Sequence, residues 1–204
     1  MAINRLVVEA VGRDFPDYDL LAEEGGNVER GKRFMWVCDP IDGTIPFSHG
    51  MPFSTFTLAL LDSGMPIMGV VYDPFLDRMF WAEKGKGAFL NGEKIMVSSA
   101  TAFKNTVVNI RSWGQAPYHF SETQKFLESR DVITESVSSA GYIGCLVAGG
   151  ALAARIAVAA LERLRFPKDF IEHTAHLVRY HMFYYNVGEV TAAGVRRFLA
   201  RVGP

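Results

Sequence analysis

The amino-acid sequence predicts a single globular domain of α/β or α+β class over residues 1–204. Its 204 residues are 49% hydrophobic, which is enough to build a sizeable buried core. Two long strand-like runs lie between residues 53 and 80, and helix-like runs precede and follow them. Since no repeat or low-complexity linker separates these parts, we expect strands and helices to share one domain.

The chain opens with a predicted helix over residues 4–11, whose apolar side chains fit one packed face. Gly12 and Pro16 are expected to close this helix, because glycine and proline are poor continuations of a helical pattern. Residues 17–22 then lead to an acidic pair. The polar, glycine-containing stretch 24–32 is typical of a mobile loop that could act as a lid.

A short apolar segment, residues 35–38, has the character of the end of a buried strand. Proline lacks an N–H and cannot extend a ladder, so Pro40 predicts that the chain turns at Asp39. Past this turn, the amides of Gly43 and Thr44 would point at an anion if a helix begins nearby. Unpaired N–H groups and the helix dipole both favour negative charge at such a position.

The two carboxylates of this segment, Asp39 and Asp42, are candidates for binding a hard cation. Carboxylates, a backbone carbonyl and a hydroxyl form an all-oxygen donor set, which suits Mg²⁺ or Mn²⁺ better than Zn²⁺. For a bare D-x-x-D-G pattern, an Asx turn with a solvated pair of aspartates is the more common explanation. The residues on both sides of this segment favour the metal site.

The other predicted elements follow from alternation, turn signals and composition. A turn signal at 62–66 joins the two β segments and predicts an antiparallel hairpin. The lysines beside the turn glycines at 84–87 are expected to be solvated rather than to bind phosphate. The second half is predicted to contain a strand at 106–111, a polar helix at 121–130 and an apolar, alanine- and glycine-rich helix at 138–160.

The net charge and the cysteine content limit which partners and which cellular compartment we expect. A formal net charge of −1 with no long basic run argues against nucleic acid as the main partner. No apolar run is long enough to span a bilayer, so no membrane association is expected. Cys38 and Cys145 do not form a disulfide framework, and no signal peptide precedes them, so we expect a cytoplasmic protein.

Residues 20–99 resemble the inositol monophosphatase family through a series of motifs in the same order. Glu23-Glu24 is similar to the acidic pair that ends the family's first conserved block, and Asp-Pro-Ile-Asp-Gly-Thr at 39–44 is its signature. The segments 69–74 and 82–92 are similar to the strands and glycine turn that follow. The resemblance implies a layered α/β sandwich of this family's type.

In that fold, residues 1–100 would carry the metal and phosphate site and residues 101–204 the smaller, substrate-side half. The resemblance implies a Mg²⁺-dependent phosphomonoesterase that hydrolyses a small phosphorylated alcohol, such as inositol monophosphate or a sugar phosphate. Two or three Mg²⁺ ions would activate a water for in-line attack, with Mn²⁺ as an alternative ion and Li⁺ as an inhibitor. Relatives are commonly homodimers, so a homodimer is an expectation here.

The resemblance also assigns roles to single residues. The metal ligands that it implies within the first half are Glu23, Asp39, the carbonyl of Ile41 and Asp42. Glu23 and Thr44 correspond to the water-positioning residues, and Asp42 joins them as a catalytic group. The amides of Gly43 and Thr44 correspond to a cradle for the phosphoryl oxygens. Thr44 could instead be a simple helix cap.

Substrate contacts are implied at Ser139, Ala140 and Ala157. An apolar residue at Ala157 offers no acceptor for a sugar hydroxyl, at a position where inositol-selective members tend to have a glutamate. This residue therefore counts against a preference for inositol.

The end of the chain departs from the family pattern at the last metal ligand, an aspartate at the start of a late helix. Glu172 is the first candidate for this role, and Asp169 and His173 are the alternatives. A zinc site built from His173, His176 and His181 is discounted, because no cysteine or clear three-ligand pattern accompanies them.

The front of the chain departs as well. A family aspartate that contacts the signature threonine would fall just before Met1, so we expect a truncated N-terminal helix region and apolar surface left uncovered. Both departures keep a second hypothesis open. In it, the chain is a non-catalytic or impaired relative that retains the core and binds an anion or a partner.

Overall fold

The computed structural model describes residues 2–100, 102–110 and 120–152. Most strands form one seven-stranded sheet in the order β1-β2-β3-β4-β5-β6-β7, and β8 pairs with β9 in a second, small sheet. The elements, in chain order, are α1 (Ala2–Asp14), β1 (Asp19–Ala22), β2 (Phe34–Asp42), α2 (Thr44–Ser48), β3 (Thr55–Asp62), β4 (Met65–Asp73), β5 (Arg78–Glu83), β6 (Gly87–Leu90), β7 (Glu93–Ile95), β8 (Thr106–Asn109), α3 (Phe120–Glu128), β9 (Val132–Glu135) and α4 (Ala140–Ala148).

The predicted hairpin is confirmed as β3 and β4, which pair antiparallel. Its connection is the two-residue loop Ser63-Gly64, with φ angles of 49° and 83°. Positive φ at both central residues is what a turn needs to match the twist of the flanking strands. The 84–87 turn joins β5 to β6, and Lys86 pairs there with Glu83 at 2.8 Å.

Helix α1 is longer than the sequence pattern predicts. It runs through Gly12 to Asp14, and the amide of Phe15 still donates to the Val11 carbonyl. Gly12 therefore does not close the helix, because a glycine lowers helix stability by only about 1 kcal/mol and packing overrides that preference. The inner side of α1 packs Val11 against Leu20 and Trp36 of the sheet.

Strand β2 is also longer than the sequence pattern predicts. The expected turn at Asp39 is wrong, since the strand continues to Asp42. Its register against β3 shifts between Asp39 and Asp42, and its pairing with β1 reaches only to Cys38. Pro40 thus lies where the ladder is interrupted, so its missing N–H breaks no regular pair.

Helices α1 and α4 cover opposite faces of the large sheet. Trp36 packs against α1, and Val71 packs with Phe80 and with Cys145 of α4. Because side chains alternate between the two faces of a sheet, the register of β2, β3 and β4 places Trp36 and Val71 on opposite faces. This layering of helix, sheet and helix covers both faces of the central strands, whose residues are nearly all buried or half-buried.

The second half contains a parallel β8 and β9 pair connected through α3. Val108, Leu127 and Val132 form its small core. The predictions of a strand and a polar helix here are confirmed, whereas β9 was not predicted. The described part of the predicted helix at 138–160 is α4, which ends at Ala148.

The two cysteines are buried and free, as the absence of a disulfide framework predicted. Burial raises the pKa of the Cys38 thiol to about 12, and burial also raises the pKa of Cys145. Within residues 2–100, 102–110 and 120–152, no helix combines the length and apolar character that crossing a membrane requires.

Candidate metal and phosphate site

Glu23 and Asp39 meet at one edge of the large sheet. Strands β1 and β2 are parallel, and Ala22, the last residue of β1, lies beside Cys38 in β2. The next step continues this pairing, because the Glu23 amide donates to the Cys38 carbonyl at 3.1 Å. Residues side by side in this register share a face, which brings the two carboxyl groups within hydrogen-bonding reach.

The electrostatics of Asp39 reflect this arrangement. Burial raises the pKa of the Asp39 carboxyl well above its usual range, and the neighbouring Glu23 carboxyl and then Asp42 raise it further. The Ile41 amide, which donates to Asp39 Oδ1 at 2.9 Å, opposes the shift only in part. Two carboxylates sharing a site cannot both ionise easily unless a cation neutralises them, so this pair suits a positively charged ligand.

Asp42 makes its bonds to a distant part of the chain. Its Oδ2 accepts hydrogen bonds from the Ser139 hydroxyl at 2.7 Å and from the Gly141 amide at 2.6 Å. Its Oδ1 accepts from the Ala140 amide at 3.2 Å. These donors belong to the first turn of α4, where a negative charge is favourable. Asp42 therefore fastens α4 to the end of β2.

Gly43 connects β2 to α2 in a conformation that favours glycine. Its φ is 89°, and it is the residue that caps the N-terminus of α2. A Cβ at this position would lie 2.8 Å from the carbonyl oxygen of Phe53 and 3.1 Å from the Ser139 Cβ. Backbone and neighbouring residues thus approach Gly43 too closely for a side chain.

Thr44 is the first residue of α2 and is exposed. The alternative role suggested for it, that of a helix cap, belongs to Gly43 instead. Its exposed position at the start of α2 leaves Thr44 open to a ligand.

Ser139 is the buried N-cap of α4, and its hydroxyl accepts from the Tyr142 amide at 3.1 Å. The same hydroxyl lies 3.2 Å from Thr55 Oγ1 in β3. Ala140, the next residue, is exposed at the start of the helix. Both predicted substrate positions are therefore close to Asp42.

Two site residues were missed by sequence reasoning. Thr55 pairs with Asp42 in the register of β2 and β3, and Gly141 lies so close that a Cβ there would be 2.9 Å from Asp42 Oδ2. A pairing of β2 with β3 would have predicted Thr55. Nothing in the local sequence signals the contact of Gly141.

The donor chemistry fits a hard cation at Glu23 and Asp39, where two carboxylates converge. Within the described part of the chain, however, no three acidic, histidine or cysteine side chains converge as a set of metal ligands. Asp42 points to α4 rather than completing such a set. The other candidates, Ala157, Asp169, Glu172 and His173, lie outside the described residues.

Comparison with known proteins gives one consistent result. Residues 1–162 match the inositol monophosphatase family. A fructose-1,6-bisphosphatase/inositol-1-monophosphatase of Thermotoga maritima is 36% identical over 69% of this chain and 55% of its own length. A Nus factor SuhB of Xylella fastidiosa is 38% identical over 52% of this chain and 38% of its own length.

Among solved structures, a Thermotoga maritima IMPase superimposes with a TM-score of 0.66 at 34% identity, covering 72% of this chain and 56% of that one. This similarity confirms the predicted layered α/β fold. The chain spans about half or less of the length of the curated relatives named above.

Proposed function

Because this chain belongs to the inositol monophosphatase family, we propose that it hydrolyses a small phosphorylated alcohol, such as inositol monophosphate or a sugar phosphate, with Mg²⁺. The observation that carries this proposal is the pair of facing carboxyl groups, Glu23 and Asp39, with the tight Gly43 turn following Asp39 along the chain. The name of the Thermotoga maritima relative, which joins a sugar bisphosphate to inositol phosphate, supports this class of substrate.

Glu23, Asp39, the Ile41 carbonyl and Asp42 would hold Mg²⁺ in this proposal, because all four offer oxygen donors. Asp42 would bind through Oδ1, which accepts one bond from α4 and has a second lone pair. Mn²⁺ has similar ligand preferences and is the alternative ion. When bound, Mg²⁺ would neutralise charge on the phosphoryl oxygens and lower the pKa of a water for in-line attack. Glu172 is proposed as a further ligand.

The residues of the chain would orient the reacting groups. The Gly43 and Thr44 amides would donate to phosphoryl oxygens, which the absence of a side chain at Gly43 allows to approach. Glu23 and the Thr44 hydroxyl would position the attacking water. Ser139 and Ala140, beside Asp42, would border the alcohol part of the substrate.

The test is phosphate release from a panel of phosphomonoesters, with and without Mg²⁺, and with Li⁺ as the expected inhibitor. Activity should require Mg²⁺ and fall to background in Asp39→Asn, whose fold should survive because an asparagine oxygen can still accept from the Ile41 amide. Glu24→Gln, one residue past Glu23, is the matched control and should keep its activity. Equal turnover in Asp39→Asn and the unmodified chain would contradict the proposal.

A second candidate function is partner binding without catalysis. It is favoured by the similarity to a protein named as a Nus factor and by apolar side chains exposed around α2. These side chains are Ile45, Phe47 and Met51, which are 58%, 50% and 49% exposed. A folded protein that is silent on the whole panel would favour this candidate.

A homodimer is the partner to test first, by sedimentation of the unmodified chain and of Phe47→Asp. A fall in mass limited to the variant would place Phe47 in the subunit interface. Cytoplasmic localisation, expected from the two unpaired thiols, stays a prediction.

A further inference from the structure

The turn that follows Glu23 is made of two glycines in unusual conformations. Gly25 and Gly26 have φ angles of 91° and 85°. Glycine has more backbone freedom than any other residue, so two in succession would let the preceding residue move. Two bonds within the segment close this turn, from the Gly25 amide to the Ala22 carbonyl at 3.1 Å and from the Ala22 amide to Asn27 Oδ1 at 2.8 Å. Neither bond involves the Gly25 carbonyl or Gly26, so a further restraint on these two glycines would help to hold a carboxylate that must face Asp39.

Helix α1 provides that restraint. The Asn4 side-chain amide, on the first turn of α1, donates to the Gly25 carbonyl at 3.0 Å. One turn later, Val8 packs directly on Gly26, where an added Cβ would lie 2.9 Å from a Val8 methyl carbon. The helix thus holds both glycines at once.

Asn4 is an unusual residue for this place. It is 8% exposed, and its Oδ1 is buried without a hydrogen-bond partner among the described residues. A buried acceptor left unpaired destabilises the fold, and asparagine is a poorer helix former than alanine. The bond to Gly25 therefore does not make Asn4 a clear contributor to stability.

The orientation of the Asn4 amide follows from its partner. Turning it over would place Oδ1 against the Gly25 carbonyl oxygen, two acceptors with no hydrogen between them. The donor group must then face the turn, and the orphan oxygen is its consequence.

We infer that Asn4 is a positioning residue for Glu23, acting through the Gly25 carbonyl. The bond fixes the turn, the turn fixes the direction in which Glu23 leaves β1, and this keeps the Glu23 carboxylate opposite Asp39. The inference rests on the proposed function, in which Glu23 is a metal ligand.

The test is calorimetric Mn²⁺ binding to the full chain, with two variants of Asn4. Asn4→Ala removes the donor, and Asn4→Asp keeps the size while replacing the donor with an acceptor. Both should raise the Kd for Mn²⁺ by about three- to tenfold, the effect of losing one hydrogen bond. Arg5→Ala is the control, because Arg5 is an exposed neighbour whose ion pair among the described residues is with Glu9 at 3.7 Å.

Amide hydrogen exchange without metal gives a second readout. Exchange should accelerate over residues 20–28 in Asn4→Ala and stay unchanged in the β3 and β4 hairpin. The thermal midpoint should match that of the Arg5→Ala control, because alanine favours the helix and removes the orphan oxygen. A merely structural residue would show the reverse, with a lower midpoint and an unchanged Kd.

Glu23→Gln separates this inference from the proposed function. If Glu23→Gln weakens Mn²⁺ binding and both Asn4 variants bind normally, the inference fails and the ligand role stands. If Glu23→Gln binds Mn²⁺ normally, the ligand role of Glu23 fails and the inference falls with it. Unfolding of both Asn4 variants would assign Asn4 a structural role and also overturn the inference.

Discussion

The two regions of the molecule contribute to the candidate site in different ways. In the sheet region, residues 2–95, Glu23 and Asp39 come together because they lie side by side where the parallel pairing of β1 with β2 stops. In the closing region, residues 106–148, the contributing groups are the first residues of α4, which lie 97 to 99 positions beyond Asp42. A short motif can encode the first contribution, whereas the second depends on the completed fold.

The largest expected effect concerns Asp42, where the two regions meet. Asp42→Asn should reduce Mg²⁺-dependent phosphate release by more than about 100-fold, beyond what loss of an outer-shell partner alone causes. It should also lower the free energy of unfolding by about 1–3 kcal/mol, because either orientation of the asparagine amide places its NH2 group against a backbone N–H donor, that of Ala140 or that of Gly141. Thermal unfolding and phosphatase assays measure the two effects.

The comparison variant is Asp39→Asn, which has no bond to α4. It should lose activity with a smaller loss of stability. Equal loss of stability in the two variants would contradict the role of Asp42 as the link between regions.

The next effect separates two reasons for a glycine at position 43. Gly43→Ala should lower the free energy of unfolding by about 1–2 kcal/mol for its left-handed backbone, with a further ~1–3 kcal/mol for crowding against Phe53. Gly85 has a φ of 83°, and a Cβ added there would meet no atom within 4 Å. Gly85→Ala should therefore show only the loss of stability that comes from the left-handed backbone. Denaturant unfolding of both variants measures the difference, and identical losses would exclude the crowding.

A smaller effect concerns Ser139, at the start of α4. Ser139→Ala removes the N-cap of α4 and should lower the free energy of unfolding by about 1–2 kcal/mol. Hydrogen exchange should accelerate in α4 while the β3 and β4 hairpin keeps its protection. Uniform acceleration across both segments would mean that the two regions open as one unit.

The smallest effect belongs to the sheet region and depends on pH. The hydrogen bond from Arg33 lowers the pKa of Asp62 to about 2, below the ordinary value of about 4. Since the folded pKa is depressed, the stabilisation is present above pH 4 and is lost as pH falls towards 2. Asp62→Asn should lower the thermal midpoint slightly at pH 7, and this difference should become smaller as the pH falls to 2. A constant difference between the two proteins at both pH values would contradict this reasoning.

Much of the sheet region was predictable from the sequence. The hairpin at 55–73 followed from alternation and a turn signal. The metal and phosphate site that the motif at 39–44 indicates stays a prediction. The errors occur where tertiary contacts override local preference. Packing carries α1 past Gly12, and a register shift admits Pro40 into β2.

The contacts that local patterns could not predict are those between distant segments. One is the set of hydrogen bonds from the start of α4 to Asp42, and the other is the bond from Asn4 to Gly25. In both, the partners come within bonding distance only when the whole sheet has formed. Neither contact has a characteristic sequence separation, because the number of residues between the two partners depends on the lengths of the elements and loops that connect them. The roles of Glu172 and Ala157 stay predictions.

The two buried thiols make it possible to measure how fast each region opens. Cys38 lies in β2 and Cys145 in α4, and their raised pKa values keep both unreactive at neutral pH while they are enclosed. An alkylating reagent can therefore modify each cysteine only after its own surroundings open. The two labelling rates, measured on the unmodified protein, would therefore report the opening of the sheet at Cys38 and of α4 at Cys145, without an engineered cysteine in either region.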